Sequence, residues 1–143
     1  MNGTSGRLLA LDYGSRRIGL AVSDPLGITA QPMPAVKREG DRKDIEAIAA
    51  VAEERKVSTI VIGLPLLPDG LEGTQAERVR RFAGKLRERL GLPVETWDER
   101  MTTVQAELHL IAAGVRREAR REVRDSLAAV LILQSALDFR NRK

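Results

Sequence analysis

Two rhythms of apolar positions run along the chain. Arg7-Leu-Leu-Ala-Leu-Asp12 and Ile18-Gly-Leu-Ala-Val-Ser23 are short apolar runs that read as strands. Tyr13-Gly14-Ser15-Arg16-Arg17 reads as the turn between them, with Gly14 supplying backbone freedom. So short a link makes the two strands antiparallel. Residues 28–36 form a third candidate strand, whose Pro32 and Pro34 suit a sheet edge or a strand end. From Asp41, a candidate cap, the rhythm becomes helical, with Ile45, Ile48, Ala49 and Ala52 on one face. Ser58-Thr-Ile-Val-Ile-Gly63 is a β-branched run of the kind buried on both sides of a sheet. A loop from Gly63 to Gly73 leads into a second helix carrying Val79, Phe82, Ala83, Leu86 and Leu90 in register, closed by Gly91. Pro93-Val-Glu-Thr-Trp97 is a short strand. Thr102 or Thr103 begins a third helix that ends at Gly114. Residues 115–124 are charged and Arg-rich, and a last helix covers 123–139.

The order β-β-β-α-β-α-β-α-α describes a three-strand meander followed by strand–helix–strand crossovers. Such crossovers bring parallel pairing, so the expected architecture is α/β, a mixed sheet with helices on both faces. The 143 residues fit one domain over 1–143, with the polar residues 1–6 expected to fray. Aromatic residues make up only 3% of the chain, so Leu, Ile, Val and Ala must build the core. No apolar run reaches membrane-spanning length, and MNGTSGR lacks the regions of a signal peptide. Cysteine is absent, which excludes disulfides and thiolate metal sites. A cytoplasmic protein is expected. The net charge is +4, with 19 Arg against 5 Lys. Because the guanidinium fork grips phosphate bidentately, this balance favours a polyanionic partner, although a solvated basic surface has the same composition.

Four carboxylates fall where the end of a sheet could gather them. Asp12 ends the first strand, Asp98 and Glu99 end the strand at 94–97, and Asp125 is expected in the first turn of the last helix. Hard divalent cations prefer carboxylate oxygens, and two of them about 4 Å apart serve phosphodiester hydrolysis. In sheets with parallel strands, ligands gather beyond the strands' C-terminal ends. Each acid also has a plainer reading. Asp12 suits a turn before Gly14, Asp98-Glu99 a solvated strand end beside Arg100, and Asp125 a helix first turn. Asp125 is expected to continue into a small apolar face of Ala128, Ala129, Ile132 and Ala136, where it would need a metal or an Arg partner. Only one of Asp98 and Glu99 is expected to face a metal, since successive residues at a strand end point to opposite sides.

Four segments resemble the YqgF/RuvX family, whose members are described as Holliday junction resolvases and as pre-16S rRNA nucleases. They are Leu9-Ala-Leu-Asp-Tyr-Gly-Ser-Arg-Arg-Ile-Gly-Leu-Ala-Val-Ser-Asp24, Gly63-Leu-Pro65 with Asp69-Gly70, Asp98-Glu-Arg-Met-Thr-Thr103, and Val123-Arg-Asp-Ser-Leu-Ala-Ala129 running on to Leu131-Ile-Leu-Gln134. The resemblance implies an RNase H-like fold, a five-stranded sheet of order 3-2-1-4-5 with strand two antiparallel. It also implies a nuclease site using Mg²⁺ or Mn²⁺, with Asp12, a middle acid from Asp98-Glu99, and Asp125 as catalytic and metal-binding residues.

Arg16 and Arg17 follow Asp12 closely enough to reach a phosphate, or simply solubilise the turn. Arg100 orients a carboxylate or contacts substrate, the first role being favoured. Arg116, Arg117, Arg120, Arg121 and Arg124 form either a nucleic-acid clamp or a solvated loop. His109 reads as structural and Trp97 as core. The leading expectation is an endonuclease acting on structured nucleic acid, in pre-16S rRNA processing, junction resolution or both. The alternative is a ribosome-maturation factor that binds nucleic acid with weak or absent catalysis. An actin-like phosphotransferase would need two duplicated subdomains, for which the chain has no room. Junction resolution would call for a homodimer.

Overall fold

The computed structural model describes residues 6–101 and 120–142, with the side chains of 120–124 excepted. The expected helix from Thr102 or Thr103, His109, Arg116, Arg117 and the side chains of Arg120, Arg121 and Arg124 lie outside the described residues. Among the described residues there are five strands, β1 (Arg7–Tyr13), β2 (Arg17–Ser23), β3 (Ala30–Lys37), β4 (Val57–Leu64) and β5 (Val94–Asp98). Helices α1 (Asp41–Glu54) and α2 (Thr74–Leu90) fill the crossovers, a 3-10 turn covers Glu99–Met101, and α3 spans Arg120–Arg140. The sheet order is β3-β2-β1-β4-β5, as the resemblance implied. β2 runs antiparallel to both its neighbours, while β4 is parallel to β1 and β5.

Alternation along the strands divides the core in two. Leu9, Leu11, Ile18, Leu20, Val22, Ile60, Ile62 and Leu64 point towards α1 and α2, where they meet Ile45, Ile48, Val79, Phe82 and Leu86. Leu8, Ala10, Ala21 and Val61 point the other way, to Ala129, Val130, Ile132, Leu133 and Leu137 of α3. The second face is built from small residues, so α3 lies close to the sheet. Gly19 is one point of close approach. A Cβ there would stand 3.1 Å from the Asp125 carbonyl oxygen and 3.2 Å from Ser126 Cα.

Ser126 locks this contact. The β2–β3 register shifts between Ile18 and Leu20, which leaves backbone groups without ladder partners. The buried Ser126 hydroxyl accepts from Leu20 N–H at 3.2 Å and donates to Met33 C=O at 2.7 Å. It therefore closes the gap from outside the sheet.

Several local expectations change. Asp41 is the first residue of α1 and caps nothing; Gly40 precedes the helix without a side-chain cap. Instead Asp41 accepts from Arg38 at 2.7 Å and Lys85 at 3.0 Å. Asp44 is buried and reaches back to the Glu39 N–H at 3.0 Å. α3 is described from Arg120 onward, so Asp125 lies beyond its first turn. Of the expected apolar face, Ala129, Ile132 and Ala136 are buried and Ala128 is exposed; Ser126, Val130, Leu133 and Leu137 complete the buried face. Gly91 closes α2 in the left-handed conformation at φ 70°, as its position predicts. Pro32 and Pro34 stand in the edge strand β3. No described helix is long and apolar enough to cross a membrane.

Candidate active site

Asp12 shares the parity of Leu8 and Ala10, so it belongs to the α3 face of β1. The same alternation sorts the acidic pair. Val94 belongs to the core under α1 and α2, whereas Trp97 packs against α3 and donates from Nε1 to Ser135 Oγ at 3.3 Å. Asp98 therefore leaves the strand on the far face and Glu99 on the α3 face. Gly63, paired with Trp97 in the β4–β5 ladder, leaves room between them. A Cβ on Gly63 would lie 2.9 Å from Glu99 Oε2 and 2.6 Å from Ile132 Cδ1. The Glu99 carboxylate thus folds over a bare strand position, beside Asp12 on the neighbouring strand.

Electrostatics separate the two acids of the pair. Burial pushes the Asp12 carboxyl above the usual carboxylate range. Burial, then the negative charges of Asp12 and Asp98, raise Glu99 in the same direction. Asp98 moves the other way, because hydrogen bonds from Arg100 favour its ionised form. Arg100 donates from Nη2 to Oδ2 at 2.9 Å and from Nε to both oxygens at 3.1 Å, and its backbone N–H reaches Oδ1 at 2.9 Å. Of the two roles open to Arg100, this is the orienting one. Its guanidinium also lies against Gly70, in the loop after β4.

Asp125 is half-buried and forms an ion pair with Arg17 Nη1. An Arg partner is one of the two arrangements expected for this carboxylate. Arg16 and Arg17 are exposed at the β1–β2 turn. Among the described residues, no group of three or more His, Asp and Glu side chains is disposed to hold one metal ion. The structure brings Asp12 and Glu99 together and engages Asp98 and Asp125 with arginines.

Sequence reasoning passed over Arg38, which braces the turn beside Asp12. Arg38 donates to the Gly14 carbonyl at 3.0 Å and to Asp44 Oδ2 at 2.6 Å, and its guanidinium stands 4.5 Å from the centre of the Tyr13 ring. Tyr13 in turn packs on Phe82, with ring centroids 4.7 Å apart. The available signal was an Arg followed by acids three and six residues later, at Asp41 and Asp44. Ser126 was missed as well; its signal was a lone hydroxyl in an otherwise apolar helical face.

The pairing of Asp12 with Glu99 suits a hard cation. Two half-buried carboxylates, both raised by burial and Glu99 also by the charge of Asp12, are relieved by a divalent ion, and their oxygens are the donors such an ion prefers.

Known proteins share this sequence and fold. A protein of Clostridioides difficile (strain 630), named "Putative pre-16S rRNA nuclease", is 47% identical over 135 residues, covering 94% of this chain and 96% of its own. A protein of the same name from Myxococcus xanthus (strain DK1622) is 50% identical over 132 residues, covering 92% and 87%. Among solved structures, the T. thermophilus RuvC complex with a Holliday junction substrate superposes with a TM-score of 0.60 at 17% identity, covering 96% and 98%. Fowlpox virus resolvase with Holliday junction DNA gives 0.56 at 8% identity, covering 95% and 99%. These structures establish a shared RNase H-like fold. The family model described as RuvX, Holliday junction resolvase, matches residues 6–139, and with relatives near half identical along almost its whole length, the chain belongs to that family.

Proposed function

We propose that the chain is a divalent-metal-dependent endonuclease that hydrolyses phosphodiesters in structured nucleic acid, with precursor 16S rRNA as its first substrate to test. The nuclease class comes with the family; metal dependence, site residues and substrate are our reading. The observation that carries it is the half-buried pair of Asp12 and Glu99 on the α3 face. The names of relatives at about half identity favour the rRNA substrate.

Asp12 and Glu99 would hold the metal, Mg²⁺ or Mn²⁺, through carboxylate oxygens. When bound, it supplies Lewis-acid stabilisation of a phosphoryl oxygen and lowers the pKa of a water nucleophile. Asp12 is fixed by the sheet on both sides, because β1 lies between β2 and β4. Glu99 is positioned by the bare surface of Gly63 and the Ile132 side chain above it. Arg100 pairs with Asp98 and partly offsets its charge beside the pair. Asp125, held by Arg17 and carried on a helix locked by Ser126, stands at the rim as the third acid.

Asp12→Asn should abolish Mn²⁺-dependent cleavage of a precursor 16S rRNA end while leaving the circular dichroism spectrum intact. Glu99→Gln should cost nearly as much, and Asp98→Asn less than either. Cleavage by purified Asp12→Asn at the parent rate would overturn the assignment. A four-way DNA junction assayed alongside, with a measured solution mass, decides the polymer and tests the homodimer. A parent protein that binds RNA yet neither cleaves nor takes up millimolar Mn²⁺ would be a maturation factor instead.

A further inference from the structure

The β1–β2 turn and the end of β3 place four cations side by side. Arg17 pairs with Lys37 across the antiparallel β2–β3 ladder, and the Arg38 N–H donates to the Arg16 carbonyl at 3.0 Å. Like charges directly opposed on neighbouring strands repel and are ordinarily avoided. Two of the four are compensated, Arg38 by Asp41 and Asp44 and Arg17 by Asp125. Arg16 and Lys37 have no acidic partner among the described residues. Between the strands and α3 these side chains, with Ser15 and Asp125, line a cavity of about 520 Å³. It opens at the same end of the sheet as Asp12, which pairs with Gly19 in the hairpin that carries the turn.

We propose that this cavity is a subsite for one backbone phosphate of the bound nucleic acid, with Arg16 and Lys37 as its cations and the Ser15 hydroxyl as a further donor. The assignment rests on the reading of the chain as a nucleic-acid enzyme and adds Lys37 to its binding residues. A phosphate seated there relieves the repulsion between strands that the fold otherwise leaves standing. It also competes with Asp125 for Arg17, so the filled subsite loosens the grip on the third acid. The shared ligand chemistry is a phosphate anion, and the source proposed is the polymer backbone.

The test is a binding measurement in EDTA, without turnover, on an Asp12→Asn background. The probe is a fluorescent four-way DNA junction titrated from low to moderate salt. The double variant Arg16→Gln/Lys37→Gln should bind about tenfold more weakly at ~100 mM salt, and its slope of log K against log salt should be shallower by about one, as for one lost phosphate contact. The control is Arg55→Gln/Lys56→Gln, which removes equal charge immediately before β4, at the opposite end of the sheet. It should change affinity less than about twofold. Both doubles must melt as cooperatively as the parent. Equal losses from the two doubles, or an unchanged slope for the first, overturns the subsite. Full competition by about 10 mM inorganic phosphate at constant ionic strength would reassign it to a free anion and overturn the backbone source. If the slope shifts but the parent protein never cleaves, the subsite stands and the nuclease reading falls. If the parent cleaves and the slope does not move, the subsite alone falls.

Discussion

Replacing Ser126 with alanine removes one oxygen atom and strands two backbone groups. The hydroxyl accepts from Leu20 N–H at 3.2 Å and donates to Met33 C=O at 2.7 Å, and both residues are buried at the register shift between β2 and β3. A buried polar group left without a partner costs about 1–3 kcal/mol. The long bond to Leu20 belongs at the low end of that range, and the Met33 carbonyl is the more heavily penalised, so the expected loss is about 2–4 kcal/mol. For a chain of this size that is a fall in Tm of about 6–12 °C. Urea denaturation followed by far-ultraviolet circular dichroism reads the free energy directly, with an unchanged m-value as the check that only stability moved. Ser23 supplies an internal scale. Its hydroxyl, also buried, accepts a single bond from Leu8 N–H at 2.9 Å, so Ser23→Ala should cost about half as much. Ser126→Ala should also reduce cleavage beyond its effect on folding, because α3 carries Asp125 one residue away. A variant within about 0.5 kcal/mol of the parent would refute the reasoning, since water would then be serving the two groups.

Two further predictions concern the acids. Because Asp12 and Glu99 bind protons more tightly folded than unfolded, the metal-free protein should lose stability as pH rises from the ordinary carboxylate range through their raised values. Asp12→Asn should therefore melt higher than the parent at neutral pH, by a margin that shrinks in acid, and millimolar Mn²⁺ should stabilise the parent but not the variant; thermal melts across pH 4 to 8 check this. Gly63→Ala puts a methyl group where the Glu99 carboxylate and the Ile132 terminus now lie, both flexible ends. It should shift Tm little yet lower kcat by about a hundredfold through misplacement of Glu99, and equal losses in stability and activity would contradict it.

The strands and two of the helices were legible because their periodicities are strong. β4 reads as a strand from its β-branched run, and α2 shows its buried stripe and its terminal Gly91 without help. That Asp125 lies beyond the first turn of α3 was not legible, because Arg120 to Glu122 carry no apolar period to mark a helix. Of the face expected for α3, Ala129, Ile132 and Ala136 are buried and Ala128 is exposed; Ser126, a polar residue that hydropathy discounts, completes the contact. Which of Asp98 and Glu99 shares the α3 face with Asp12 was latent in the alternation of β5. It becomes readable only when Val94 and Trp97 are known to face different helices. The clamp made by Arg38 depends on α1 and the β1–β2 turn meeting in space, which no local pattern reports.

The two prolines of β3 have a consequence for how this molecule meets copies of itself. β3 is an edge of the sheet, and such edges ordinarily recruit strands from other chains. Pro32 and Pro34, two residues apart, offer their missing donors in the same direction. Since proline is tolerated only where the ladder needs no N–H, that direction is outward. The free edge therefore lacks two successive donors and makes a poor template for an incoming strand. Continuous sheet extension through β3, whether as an ordered dimer or as the first step of aggregation, is blocked by two pyrrolidine rings. A homodimer of this chain would have to form otherwise than by strand addition at β3.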